Sequence, residues 1–273
     1  MSDYPFSRIL LATECTEFDT GAERLAFAMA KRCGVPLRVV FPLLSNPEYE
    51  AEMPEFALRA EQEAADKIAK LAGQAQELGI KIDLHVRRGS ERHAEIVAEA
   101  AESKTDLIVI RRRGKPGFFA RMLVGEMVSR VIRDAPCSVL LVPRNAQFWS
   151  RHVLAAVGDT PSAPAIAKTA GMIAAVCELP LTVLSVATDQ ASLSKTQGFN
   201  ILGVAMASGP SLKARGEVRL GRLVEQTLAA VEQSGADLVV IGRQRYHLSP
   251  FGSKSIMQDI AGNMDVPTLV VPA

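Results

Sequence analysis

The sequence predicts a duplicated α/β fold, two successive domains in which strands and helices alternate. Three observations carry this reading. Short apolar runs of strand length alternate with stretches whose apolar residues recur at helical spacing. Two blocks of the first half return in the second at fixed offsets. Hydrophobic residues make up 48% of the 273-residue chain and aromatic ones only 5%, so Ala, Val, Leu and Ile carry the burial, as suits helices packed on parallel strands.

The repeat is explicit. Residues 8–43 align with 152–187 at a constant offset of 144 without a gap. Ala12 meets Ala156, Ala26 meets Ala170, Ala30 meets Ala174, Cys33 meets Cys177, and Pro36-Leu37 meets Pro180-Leu181. "TDLIVIRR" (105–112) matches "ADLVVIGR" (236–243) at an offset of 131, so the second half is 13 residues shorter in between. The first domain is expected over 1–148 and the second over 149–273, with the boundary near Phe148-Trp149-Ser150.

In the first half "FSRILLAT" reads as a strand. "DTGAERLAFAMAKRCG" opens with an N-cap candidate, Asp19 or Thr20, and stops at Gly34, so it reads as a helix. "LRVVFPL" is a second strand. A long helix is expected from about Pro54 to Leu78, with Phe56, Ala60, Ala64, Ile68, Leu71, Ala75 and Leu78 on one face. "KIDLHV", "ERHAEIVAEAAES" and "DLIVI" give strand, helix and strand. A loop, a helix over roughly 122–134 and the strand "SVLLV" complete five strands. Strands separated by helices imply parallel pairing through right-handed crossovers. The second half repeats the order, but 188–214 is short and glycine-punctuated. Its apolar "GFNILGVAMASG" fits a buried helix and equally a cap over a pocket.

Composition excludes several classes. The formal net charge of +1 gives no overall field to recruit nucleic acid or a membrane. The four cysteines (Cys15, Cys33, Cys137, Cys177) form no CxxC pair or disulfide framework. The N-terminus lacks the apolar core of a signal peptide, and no apolar run approaches the roughly 18 residues of a membrane span. A soluble protein of a reducing cytoplasm is expected. His85, His93, His152 and His247 have no metal-ligand spacing. Neither a Gly-x-Ser-x-Gly elbow nor a P-loop Gly-Lys-Ser/Thr occurs, so the chain is expected not to be an enzyme. Cys33 and Cys177, at matching helix positions, read as core residues. Cys15, at a strand end, reads as packed or as exposed and reactive.

The stretch with chemical character is "RRRGKPGFFARMLVGE" (111–126). Glycines and cations between a strand and a helix suit phosphate, because backbone N–H groups and a helix N-terminus converge there. Arg87 and Arg88, ending another strand, are expected on the same rim as Arg111, Arg112 and Arg113. The rim reads as an anion site, or as a solvated face offset by the acidic run Glu48, Glu50, Glu52 and Glu55.

A duplicated unit of about 140 residues with this "TDLIVI" strand, glycine loop and terminal "APCSVLLVP" resembles the universal stress protein family in its tandem form. The resemblance implies two repeated doubly wound domains, each a five-stranded parallel sheet in the order 3-2-1-4-5, packed as an internal pseudo-dimer. It also implies a candidate ATP site in each half: an Asp after the first strand, and a loop of Gly, two residues, Gly, nine residues, Gly, then Ser or Thr. Both halves depart from it. In the first, Glu14 replaces the Asp, Arg111 the first glycine and Glu126 the hydroxyl; Gly114 fits, and Gly125 follows after ten residues. In the second, Asp159 comes one position late behind Gly158, Gly242 fits, Arg245 replaces the second glycine, and the Gly252-Ser253 pair comes too early. The expected function is a non-catalytic binding or scaffold protein of the stress response with degenerate nucleotide sites. The alternative is an adenine-nucleotide (ATP) sensor using one basic glycine loop, and a slow ATPase is a third reading. Expected partners are the chain itself, within the pseudo-dimer or as a homodimer, and a protein partner.

Overall fold

The computed structural model describes residues 4–112, 126–158, 160, 162–187, 189–190, 192–193, 195, 203–204, 207, 212–243 and 264–272. The first half runs β1 (Ile9–Ala12), α1 (Thr20–Cys33), β2 (Leu37–Leu44), α2 (Pro47–Glu52), α3 (Pro54–Glu77), β3 (Ile82–Gly89), α4 (Arg92–Glu102), β4 (Leu107–Arg111), α5 (Glu126–Asp134) and β5 (Ser138–Val142). The second runs β6 (Val153–Val157), α6 (Ala163–Val176), β7 (Leu181–Ala187), β8 (Ala214–Leu220), α7 (Leu223–Ser234), β9 (Leu238–Gly242) and β10 (Thr268–Val271).

The ten strands among the described residues form one sheet, in the order β3-β2-β1-β4-β5-β10-β9-β6-β7-β8. Each half therefore has the order 3-2-1-4-5, and every pairing within a half is parallel. The halves join where β5 and β10 pair antiparallel, Val139 against Val270 and Leu141 against Thr268. That junction places the repeats about a pseudo-two-fold axis. The central strands are apolar on both sides because helices cover both faces. The outer strands β3 and β8 are half-exposed and carry Asp83, His85, Arg87 and Arg88, or Arg215, Glu217 and Arg219, which blunt them against further pairing.

Two apolar cores lie on opposite faces, and each runs through both halves. One gathers Leu25 and Met29 of α1, Leu71 and Ala75 of α3, and Ile166 and Ile173 of α6. The other gathers Ile96 of α4, Val131 and Ile132 of α5, and Ala230 of α7. Cys177 is buried in the first, with Cys33 packed against it. So is Trp149, at the junction between the halves; its ring stacks on Phe148 at 4.3 Å, and the Arg32 guanidinium lies over Phe148.

The long α3 corrects one expectation. Of its predicted apolar face only Ala64, Leu71 and Ala75 are buried, while Phe56 is 69% exposed. Geometry gives the reason. Twenty-four helical residues span about 36 Å, and the eight residues of β2 or β3 about 26 Å, so the helix overhangs the sheet. In the shorter second half, the backbone of Ala207 lies on α6, 2.5 Å from where a Cβ on Gly171 would stand, and Gly203 packs near Val183. These described residues of the 188–214 segment pack on the α6 face.

Repeated polar contacts fix the register. Asp106 accepts hydrogen bonds from Ser7 and Arg8 at the entry to β1, and Asp237 accepts them from Ser150, Arg151 and His152 at the entry to β6. A second pair crosses the junction. Arg112, just past β4, donates to the Met264 carbonyl and to Asp265 before β10. Its repeat mate Arg243 donates to the Ala135 and Cys137 carbonyls before β5, both at 2.7 Å. Each half thus holds the other by an arginine. Arg243→Ala removes two charge-assisted bonds and is predicted to lower stability by about 2–3 kcal/mol. Urea unfolding measures this; a loss under about 0.5 kcal/mol, as at an indifferent surface site, would contradict the assigned role.

Candidate functional site

The chain leaves β1 for α1 on one face and β4 for α5 on the other. A crevice therefore opens between the carboxyl ends of β1 and β4, the switch point where open α/β sheets hold ligands. In the first half the crevice is filled by side chains of this protein.

Arg111 ends β4 and turns inward, with 4% of its side chain exposed. Nη1 donates to Thr16 Oγ1 at 2.7 Å and to Asp19 Oδ2 at 3.1 Å, and Nη2 donates to Glu14 Oε1 at 2.9 Å. Asp19, 1% exposed, also accepts from the Thr16 backbone N–H and hydroxyl. Its carboxylate makes no cap bond to α1, although it occupies the N-cap position the sequence suggested. Arg92, the first residue of α4, brings Nε within 3.6 Å of Glu14 Oε2. Thr13 donates to the buried Glu23 at 2.7 Å just behind. Burial raises Asp19 above its ordinary 3.8, and Thr16 and Arg111 act against that rise. Burial likewise raises Glu23, opposed by Thr13.

The other sequence candidates divide. Arg112 reaches across the domain junction, away from the crevice. Arg113, Gly114, Gly125, Asp159, Gly252 and Ser253 lie outside the described residues. Glu126, in α5, accepts from Arg130 at 2.7 Å. Arg87 is held by Glu95, Glu99 and Glu102, and Arg88 by Glu61. These partners come from α4 and α3. The acidic run at 48–55, expected to offset them, supplies no described contact to either arginine.

The second crevice is built differently. Gly158 stands at the position of Glu14, Ala163 at that of Asp19 and Gly242 at that of Arg111. Only Thr160 matches Thr16, and it hydrogen-bonds Ser162 at 3.1 Å. A Cβ on Gly242 would stand 2.7 Å from Ile166 Cδ1 and 3.1 Å from Ser162 Oγ, so no side chain fits without movement there. The first-half counterpart of Ile166 is Ala22. A small helix residue accompanies the arginine, and a large one accompanies the glycine.

The sequence marks Asp19 only as a cap candidate and gives no local pattern that distinguishes Arg92. The signal for Arg243 is its position two past the matched "VI" of both blocks, shared with Arg112. Cys15, half-buried at the crevice edge, has its thiol pushed up to about 12 by burial and by Glu23. Burial also pushes Cys33 to about 11 and Cys137 to about 12. Among the described residues no group of three or more His, Cys, Asp or Glu could hold a metal ion, and no helix is long and apolar enough to cross a membrane.

The Universal stress protein family model matches residues 5–143 and again 150–272. A universal stress protein of Methanocaldococcus jannaschii is 32% identical over 146 residues, which are 51% of this chain and 83% of that protein. One from Thermus aquaticus is 34% identical over 143 residues, covering 50% of this chain and 98% of that protein. Among solved structures, a universal stress protein from Archaeoglobus fulgidus superposes with a TM-score of 0.77 at 17% identity, covering 100% of this chain and 99% of its own. That likeness is one of fold.

Removing the Arg111 side chain leaves the fully buried Asp19 without a cation and Glu14 with Arg92 alone. Arg111→Ala is predicted to cost about 3–5 kcal/mol at pH 7. The sign of its pH dependence follows from Asp19. A carboxyl whose folded pKa is raised adds stability below its unfolded value and loses it as pH rises through the folded value. Loss of Arg111 raises Asp19 further, so the deficit of the variant is full at pH 7 and shrinks as pH falls towards 3.8. Denaturation of both proteins between pH 7 and 4 tests this; a pH-independent deficit would contradict it.

Proposed function

The chain belongs to the universal stress protein family in its tandem form, and from that premise we propose that it works as a non-catalytic binding or scaffold protein whose first-half crevice is closed to nucleotide. The inward Arg111 carries this reading. Its guanidinium, Thr16, Glu14 and Asp19 take up one another's hydrogen-bonding capacity at the switch point where a ligand would sit. A nucleotide entering there would have to break a buried ion pair and leave Asp19 without its cation. The raised thiols of Cys15, Cys33 and Cys137 argue in the same direction, because a thiol held protonated is a poor nucleophile.

A second reading has its own support. The second crevice carries glycine at both strand ends, Gly158 and Gly242, and lacks the charged cluster. If the chain binds an adenine nucleotide, it does so in this half. Calorimetry with ATP and magnesium separates the readings. The scaffold reading predicts no saturable binding. The second reading predicts one nucleotide per chain, with an affinity unchanged by Arg111→Ala. Two nucleotides per wild-type chain would overturn the closed first crevice.

A further inference from the structure

Glu14 occupies a place prepared for an anion. Two arginines from different elements converge on its carboxylate: Arg111 Nη2 from the end of β4 at 2.9 Å, and Arg92 Nε from the start of α4 at 3.6 Å. Arg92 Nε is buried and makes no hydrogen bond. A buried donor without an acceptor is costly, and Glu14 stands too far off to satisfy it. The Glu14 side chain is itself 19% exposed, so solvent reaches it. Its second-half counterpart is Gly158, which shows that the repeated backbone accommodates a residue with no side chain there.

We propose that Glu14 is an internal, displaceable occupant of a small-oxyanion site formed by Arg92 and Arg111. The inference rests on the closed-crevice reading and adds that the closure is a competition. The neighbouring groups fit this assignment. Asp19 and Thr16 hold the far side of Arg111 and keep its guanidinium in place when Glu14 leaves. Nη2 of Arg111 and Nε of Arg92 are then two donors facing one vacated volume, an arrangement suited to a phosphate or similar oxyanion. Replacing Glu14 by a neutral residue shifts the local charge by one unit towards positive, which favours an anion further.

The test titrates inorganic phosphate into wild-type protein, Glu14→Ala and Glu14→Ala/Arg92→Ala, using calorimetry and phosphorus NMR. Glu14→Ala is expected to bind phosphate roughly tenfold or more tightly than wild type, the scale of one charge-assisted hydrogen bond. The added Arg92→Ala is expected to abolish most of that gain. Equal affinity of Glu14→Ala and wild type would overturn the proposal. So would a gain that persists without Arg92, which would mean an adventitious ion only. Should Glu14→Ala fail to fold, Glu14→Gln keeps the volume and removes the charge; its phosphate affinity must still exceed that of wild type. None of these outcomes bears on whether wild-type protein binds ATP, so this proposal and the closed-crevice reading fail separately.

Discussion

A buried guanidinium cannot be left alone. Its charge is too costly to desolvate without carboxylates, and its geometry demands acceptors in fixed directions. Arg111 imposes that constraint on the first half of this molecule. Glu14 and Asp19 must lie within reach of the end of β4, so the loop from β1 to α1 must curl back over the crevice. Thr16 must both donate to Asp19 and accept from Arg111. The cluster uses the mouth of the sheet for internal bonding. The functional reading of the half follows from that use.

The second half shows the same backbone plan under the opposite choice. Glycine at 242 lets Ile166 approach, and the two carboxylates are absent at 158 and 163. Duplication supplied two crevices, and sequence change made them chemically unlike. Elsewhere the symmetry is kept. Asp106 and Asp237 hold the same strand entries, while Arg112 and Arg243 tie each half to the other across the antiparallel β5–β10 pairing. Residues that serve the fold are paired between the halves, and at the switch points only Thr16 keeps its counterpart, Thr160, among the residues of the Arg111 cluster. The junction is continuous in backbone bonding and in both apolar cores, so the two crevices sit on one sheet.

Much of this was legible in the sequence. Apolar runs such as "DLIVI" admit little besides a strand covered on both sides, and the constant offsets revealed the duplication. The overhang of α3 was not legible, because periodicity reports which residues share a face and not how far the supporting sheet extends. Phe56 satisfies the helical pattern and is nevertheless exposed. The short α2 was not legible, because Pro47 and three glutamates in six residues carry no apolar periodicity. At the site, the loss of the family's first glycine to arginine was visible, but the direction of that arginine was not. A run of three arginines after a strand suggests a common rim. In the fold Arg111 points into the crevice and Arg112 across the domain junction. Their partners, Asp19 and Asp265, lie 92 and 153 residues away in the chain, beyond the reach of local pattern.

The central claim is that Arg111 fills the first crevice in the working protein. A crystal structure of the wild-type chain grown with saturating ATP and magnesium tests it most directly. The account predicts Arg111 within hydrogen-bonding distance of Glu14 and Asp19, with no nucleotide between β1 and β4. Arg111 turned out to solvent, with a ribose or phosphate in its place, would contradict it.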